Sequence, residues 1–161
     1  MNIQVFPRLE VPSHKPERPF AWIRISDPGK GPGMGEGVPE HFMPFLTGCL
    51  HLEFWDSETV DQMPGGFWTD ENKPPTLPLP VLELFQHDQA EEILCFVESN
   101  IVNGVKDFII NCEGGFSRSP AVAVALARLY GTPELEWEVT QGKYPNGMVY
   151  RTILEASETI I

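Results

Sequence analysis

The chain has 161 residues, 42% hydrophobic and 21% charged, and its 11 lysines and arginines against 23 aspartates and glutamates leave a net charge of −12. That length fits a single domain spanning 1–161, able to bury roughly 68–70% of its unfolded surface without disulfide or metal staples. The charge balance excludes nucleic acid and anionic membranes as partners, since both demand clustered basic residues; an anionic ligand would have to be attracted locally.

Residues 1–20 carry Pro7, Pro12, Pro16 and Pro19 and read as an extended lead-in with one short strand, Ile3 to Phe6. Ala21 to Ser26 alternates as a strand does and stops at the turn sequence Asp27-Pro28-Gly29. Gly31 to Pro39 reads as a mobile loop. Its Gly33-Met34-Gly35-Glu36-Gly37 lacks the lysine-serine or lysine-threonine pair and the following helix that a nucleotide loop needs. Cys49 to Trp55 is an apolar strand ending in Asp56, and residues 57–80 form a long loop of the kind that often acts as a lid. Phe85, Ala90, Ile93, Leu94 and Val97 fall near helical spacing, so 85–100 is expected to pack as a helix on a sheet. Lys106 to Asn111 is a buried strand. Arg118 to Tyr130 is a helix stopped by Gly131, and further helices are expected over 133–140 and 148–160. Strands alternating with helices give an α/β fold, a mostly parallel central sheet flanked by helices.

The cysteines are Cys49, Cys95 and Cys112. An odd number with no CxxC pair fits neither a disulfide framework nor a zinc site, and it points to a reducing, cytoplasmic compartment. Met1 to Glu10 lacks the charged start and long apolar run of a secretory leader, and no segment approaches the ~20 apolar residues that span a bilayer. His14, His41, His51 and His87 are scattered, with no pair at metal-ligand spacing, so neither metal nor cofactor is expected.

The most informative run is Asp107 to Pro120, a strand, then Cys112-Glu113-Gly114-Gly115-Phe116-Ser117-Arg118, then a helix. Loop amides, a helix N-terminus and a nearby cation each stabilise a thiolate, and Cys112 has all three within a few residues. The amides from Glu113 through Gly114, Gly115, Phe116 and Ser117 to Arg118 would cradle three phosphate oxygens, while Arg118 grips two of them from the rim. Gly114 and Gly115 would supply the positive φ angles of such a turn. Ser119 could donate to the thiolate and make it a better leaving group. Cys95, on a helix face, reads as a small core residue, although it or Cys49 could pair with Cys112 under oxidation.

Cys112 to Pro120 resembles the active-site loop of the cysteine-dependent protein tyrosine phosphatases, most nearly the small dual-specificity type and its compact bacterial relatives. The likeness continues through Ala121 to Leu129 and is weaker in 22–29, 50–56, 85–96 and 144–155. It implies phosphoester hydrolysis through a phosphocysteine intermediate, without metal, on a phosphorylated protein or a small phosphoester. It also implies a general acid on the loop after the neighbouring strand. Asp56 is the first candidate, followed by Asp61 and then Asp70. Trp55, Phe67 and Trp68 flank that loop and could wall a pocket, and Asn146 could support the active-site loop from behind. The family usually has histidine just before the nucleophile, where this chain has Asn111. That substitution implies a less well supported thiolate and opens an alternative, a catalytically weak or inactive phospho-binding module. A sulfur transferase, which also cradles an anion beside a cysteine, is disfavoured by the Ser-Arg-Ser-Pro ending and the candidate acid loop.

Overall fold

The computed structural model describes residues 1–29, 37–57 and 84–159. Four strands, β1 (Asn2–Pro7), β2 (Phe20–Ser26), β3 (Leu46–Glu53) and β4 (Asp107–Cys112), form one sheet in the order β1-β4-β2-β3. Every pairing is parallel, with Pro7 opposite Cys112 and Arg24 opposite Asn111. Four helices follow in the chain: α1 (His87–Val102), α2 (Arg118–Tyr130), α3 (Pro133–Thr140) and α4 (Gly147–Thr159). The expected α/β architecture is therefore present, and β4 lies inside the sheet with its carboxyl end between those of β1 and β2. In open parallel sheets that is where ligands bind.

Alternation along the strands divides two cores. Ala21, Ile23 and Ile25 of β2 and Phe108, Ile110 and Cys112 of β4 face the helices, joining Ile93, Leu94 and Val97 of α1, Leu126 of α2 and Ile153 of α4. Phe20, Trp22 and Ile109 point the other way and meet Val11 and Phe42 from two short 3₁₀ turns, Arg8–Ser13 and Glu40–Phe42. With both faces covered, β2 is buried along its whole length, as expected of a central parallel strand.

The helix limits follow from caps. Gln86 and Gln89 form a reciprocal capping box at the start of α1. Thr132 accepts from the Leu135 amide at 3.2 Å and Pro133 occupies the first turn of α3. Gly131 ends α2 with φ −111°, so no left-handed residue is involved. A Cβ there would lie 2.8 Å from Leu135 Cδ2 and 2.9 Å from the Ala127 carbonyl, and close approach is what requires the glycine.

Three expectations need revision. The strand expected at Ile3 to Phe6 is present as β1, one residue longer at each end and paired with the cysteine strand itself, but the lead-in after it is a 3₁₀ turn and not extended. The strand expected over 49–55 starts earlier and ends earlier, at Leu46–Glu53. Cys95 is exposed on α1 instead of buried. The glycine loop falls outside the described residues except for 37–39, and so does the long loop except for Ser57. Among the described residues no helix is long and apolar enough to cross a membrane.

Two stability measurements test this arrangement. Ile110 is fully buried between β4 and the helices, so Ile110→Ala should cost about 2–5 kcal/mol in urea unfolding, with an unchanged denaturant slope. At the other end of β4, the Arg18 guanidinium hydrogen-bonds the Asp107 carboxylate and holds it below the usual carboxylate range against the opposing effect of burial, and Asn2 adds a further hydrogen bond. A depressed pKa stabilises the fold above the unfolded value of about 4 and loses that contribution as pH falls through the folded value. Asp107→Asn should therefore lower the urea midpoint slightly at pH 7, with the difference from wild type closing as the pH drops below about 4.

Candidate active site

Cys112 ends β4 and is 3% exposed. The chain must turn within five residues to start α2 at Arg118, and Gly115 makes that possible. Its φ is +71°, and a Cβ there would sit 2.7 Å from the Pro7 nitrogen and 3.0 Å from the Phe6 carbonyl carbon. The loop thus folds down onto the end of β1 with no room for a side chain. Gly114 differs from expectation, because it is not among the positive-φ glycines and a Cβ would meet only the Phe116 ring, at 3.2 Å.

The turn brings two hydrogen-bonding partners to the sulfur. The Gly115 amide donates to Cys112 Sγ at 3.3 Å, and Ser119 Oγ lies 3.1 Å from the same atom. Ser119 is fully buried in the first turn of α2, which fixes its hydroxyl against the thiol.

Arg118 departs from the picture of a guanidinium folded over the rim. It is 5% exposed, and its Nη1 donates to Asp27 Oδ1 at 2.9 Å and to the Phe54 carbonyl at 2.7 Å. The Asp27 contact is an ion pair. Those two bonds orient the guanidinium, and its Nε–Nη2 edge is the pair of donors that can take two oxygens of an anion. Asp27, in the turn after β2, was legible only as a turn former. Its partnership with Arg118 arises because β2 lies beside β4.

Asp56 joins the loop through Ser117. Its Oδ1 accepts from Ser117 Oγ at 2.7 Å and from Asn146 Nδ2 at 2.9 Å. Ser117 precedes α2 but does not cap it with its side chain, because its hydroxyl is given to Asp56. Asn146 is buried and also ties down the backbone: its amide donates to the Ser117 carbonyl at 3.1 Å, and its Nδ2 reaches the Ser57 carbonyl at 3.2 Å. It supports the loop from behind, as its turn position suggested. Asp61, Asp70, Phe67 and Trp68 lie outside the described residues.

The remaining loop residues form the rim. Glu113 is held by Arg8, whose Nε donates to Glu113 Oε2 at 3.0 Å and whose amide donates to the Glu113 carbonyl at 3.1 Å. Phe116 is exposed, its carbonyl accepts from the Tyr144 amide at 2.8 Å, and Lys143 Nζ sits 4.9 Å from its ring centroid. Asn111, immediately before Cys112, is buried on the face away from the helices and accepts from Trp22 Nε1 at 2.8 Å. All three cysteines are free; Cys49 and Cys95 are exposed and Cys112 is buried. Among the described residues no three His, Cys, Asp or Glu side chains converge as metal ligands would.

No family-level sequence profile matches this chain, and no curated protein matches it in sequence. Its fold does match solved structures. The human tyrosine phosphatase-like serine/threonine/tyrosine-interacting protein aligns over 99% of this chain and 93% of its own, at a TM-score of 0.57 and 14% identity. Human DUSP28 aligns over 98% and 92%, at 0.57 and 13%. PTPMT1, solved in complex with PI(5)P, aligns over 99% and 92%, at 0.52 and 12%. The chain has the tyrosine and dual-specificity phosphatase fold.

The glycine pair gives a direct test of the loop geometry. Gly115→Ala forces a side chain into a left-handed conformation against the backbone of β1, and should cost about 1–3 kcal/mol in urea unfolding and weaken vanadate binding sharply. Gly114→Ala meets only an exposed ring and should leave both measurements near wild type.

Proposed function

We propose that this chain is a cysteine-dependent phosphoester hydrolase, a single phosphatase-like domain acting on a phosphorylated protein or small phosphoester. The observation that carries this reading is the sulfur of Cys112, which has the Gly115 amide at 3.3 Å and the Ser119 hydroxyl at 3.1 Å, at the amino end of the helix that Arg118 opens. The phosphatase fold supports it independently.

In the proposed reaction the Cys112 thiolate attacks phosphorus, the phosphoester P–O bond breaks, and the leaving oxygen takes a proton from the Asp56 carboxylic acid. The amides from Glu113 to Arg118 and the Nε–Nη2 edge of Arg118 hold the equatorial oxygens, whose charge is greatest in the transition state. Asp56, now a carboxylate, then takes a proton from water as that water attacks the phosphocysteine. Inorganic phosphate leaves, and the departing thiolate is stabilised by Ser119. The two donors on Asp56 Oδ1 leave Oδ2 as the oxygen that carries the proton. Reducing compartments keep thiols from forming disulfides, and the three free cysteines support the cytoplasm as its location.

A second reading, a phospho-binding module with little or no turnover, has one observation in its favour. Asn111 stands where the resembled family usually has histidine, and its carboxamide oxygen is committed to Trp22. The interacting role in the name of the first human neighbour is of the same kind.

Hydrolysis of p-nitrophenyl phosphate in the presence of a chelator separates the two readings. The hydrolase reading predicts metal-independent turnover that Cys112→Ser abolishes and that Asp56→Asn lowers about 10²-fold or more. A folded wild-type protein that binds vanadate without turnover, and gains activity on Asn111→His, would establish the binding module instead.

A further inference from the structure

On the face of the sheet away from the helices, behind the nucleophile loop, lies a cavity of about 200 Å³. Two guanidiniums, Arg8 and Arg24, and the Asn111 carboxamide line it, and Trp22, Val11 and Pro12 supply apolar wall. Three features set it apart from an ordinary surface dent. First, Arg24 is 8% exposed and its Cζ lies over the Trp22 ring, 4.2 Å from the centroid, so a cationic group is buried against an aromatic face. Second, none of the described residues lining this cavity is acidic, in a chain whose net charge is −12. The larger cavity at the opposite end of the sheet, about 480 Å³, sets Asp107, Glu17 and Glu138 beside its own Lys15 and Arg18. Third, the polar groups here are held in place by neighbours. Arg24 stands opposite Asn111 across β2 and β4, Asn111 takes its orientation from Trp22, and Arg8 is steadied by Glu113.

We propose that this cavity is a second anion site, distinct from the nucleophile loop, for a compact oxyanion such as a carboxylate or phosphate with a small apolar body. Guanidiniums match planar oxyanions bidentately, and the apolar wall suits the remainder of such a molecule. At about 30 Å³ per water the volume holds six or seven waters, and it is smaller than the roughly 300–1,000 Å³ of pockets that take larger ligands. The site also touches the chemistry. Asn111 precedes Cys112 in the chain, and Arg8 holds Glu113 directly after it, so an anion bound here acts on both flanks of the nucleophile. Its occupant is an effector, and its existence does not depend on the chain being a hydrolase.

The test is an NMR titration of the ¹⁵N-labelled full chain with orthophosphate and, separately, with benzoate, following the Trp22 indole N–H and the amides of residues 113–118. The indole signal is assigned with Trp22→Phe. The proposal predicts that the indole shifts with at least one anion and with a midpoint different from that of the loop amides. Arg24→Gln should weaken the indole response at least tenfold and leave the loop amide response in place. Should Arg24→Gln fail to fold, the partly exposed Arg8→Gln should weaken the same response severalfold. Orthophosphate acting alone marks a phosphate site, and benzoate acting as well marks a carboxylate site. An indole that moves with neither anion, or that moves with the loop amides at one shared midpoint and ignores both arginine variants, overturns the proposal. Loop amides that ignore orthophosphate would count against the hydrolase reading and leave this one standing.

Discussion

The site depends on one steric constraint, the descent of the Cys112 loop onto the end of β1. A parallel strand carries Cys112 to the carboxyl edge of the sheet, and the chain has five residues in which to reverse and enter α2. Gly115 accomplishes the reversal with a positive φ and a backbone that touches Pro7 and Phe6. That same residue presents its amide to the sulfur. The edge strand is therefore the floor on which the loop is shaped, and a strand at that place explains why a proline-rich amino-terminal segment is worth folding into the sheet.

Around that turn, each charged or polar group is held by a residue distant in sequence. Arg118 is aimed by Asp27 and the Phe54 carbonyl, Asp56 by Ser117 and Asn146, and Glu113 by Arg8. Positioning of this sort is how a site gains rate beyond the intrinsic reactivity of its groups, because the donors need little reorganisation as charge develops. It also separates the two guanidinium roles. One edge of Arg118 is committed to Asp27 and the Phe54 carbonyl, and the proposed reaction uses the other.

Much of this was legible in the sequence because the signals are local. Gly131 marked the end of α2, and the spacing from Cys112 to Arg118 between a strand and a helix marked the loop. What escaped was non-local. Asp27 looks like an ordinary turn residue until β2 is placed beside β4, 91 residues away in contact order from Asp27 to Arg118. The short strand at Ile3 to Phe6 was legible, but not its partner: the six residues of β1 pair in register with β4. β3 was displaced because it borders the sheet and its burial alternates only partly, so hydrophobicity marks its limits poorly. Gly114 was credited with a conformation that Gly115 alone adopts, since two adjacent glycines carry no signal for which one turns.

The central claim is that Cys112 becomes covalently phosphorylated during turnover. The most direct measurement is rapid acid quenching of the wild-type chain mixed with p-nitrophenyl phosphate, followed by peptide mass analysis. The account predicts a phosphoryl group on the peptide containing Cys112, present in the first turnover, more abundant in Asp56→Asn if water attack slows more than attack by sulfur, and absent in Cys112→Ser. Hydrolysis that proceeds with no phosphoryl group on Cys112 at any time, and that survives Cys112→Ser, would contradict it.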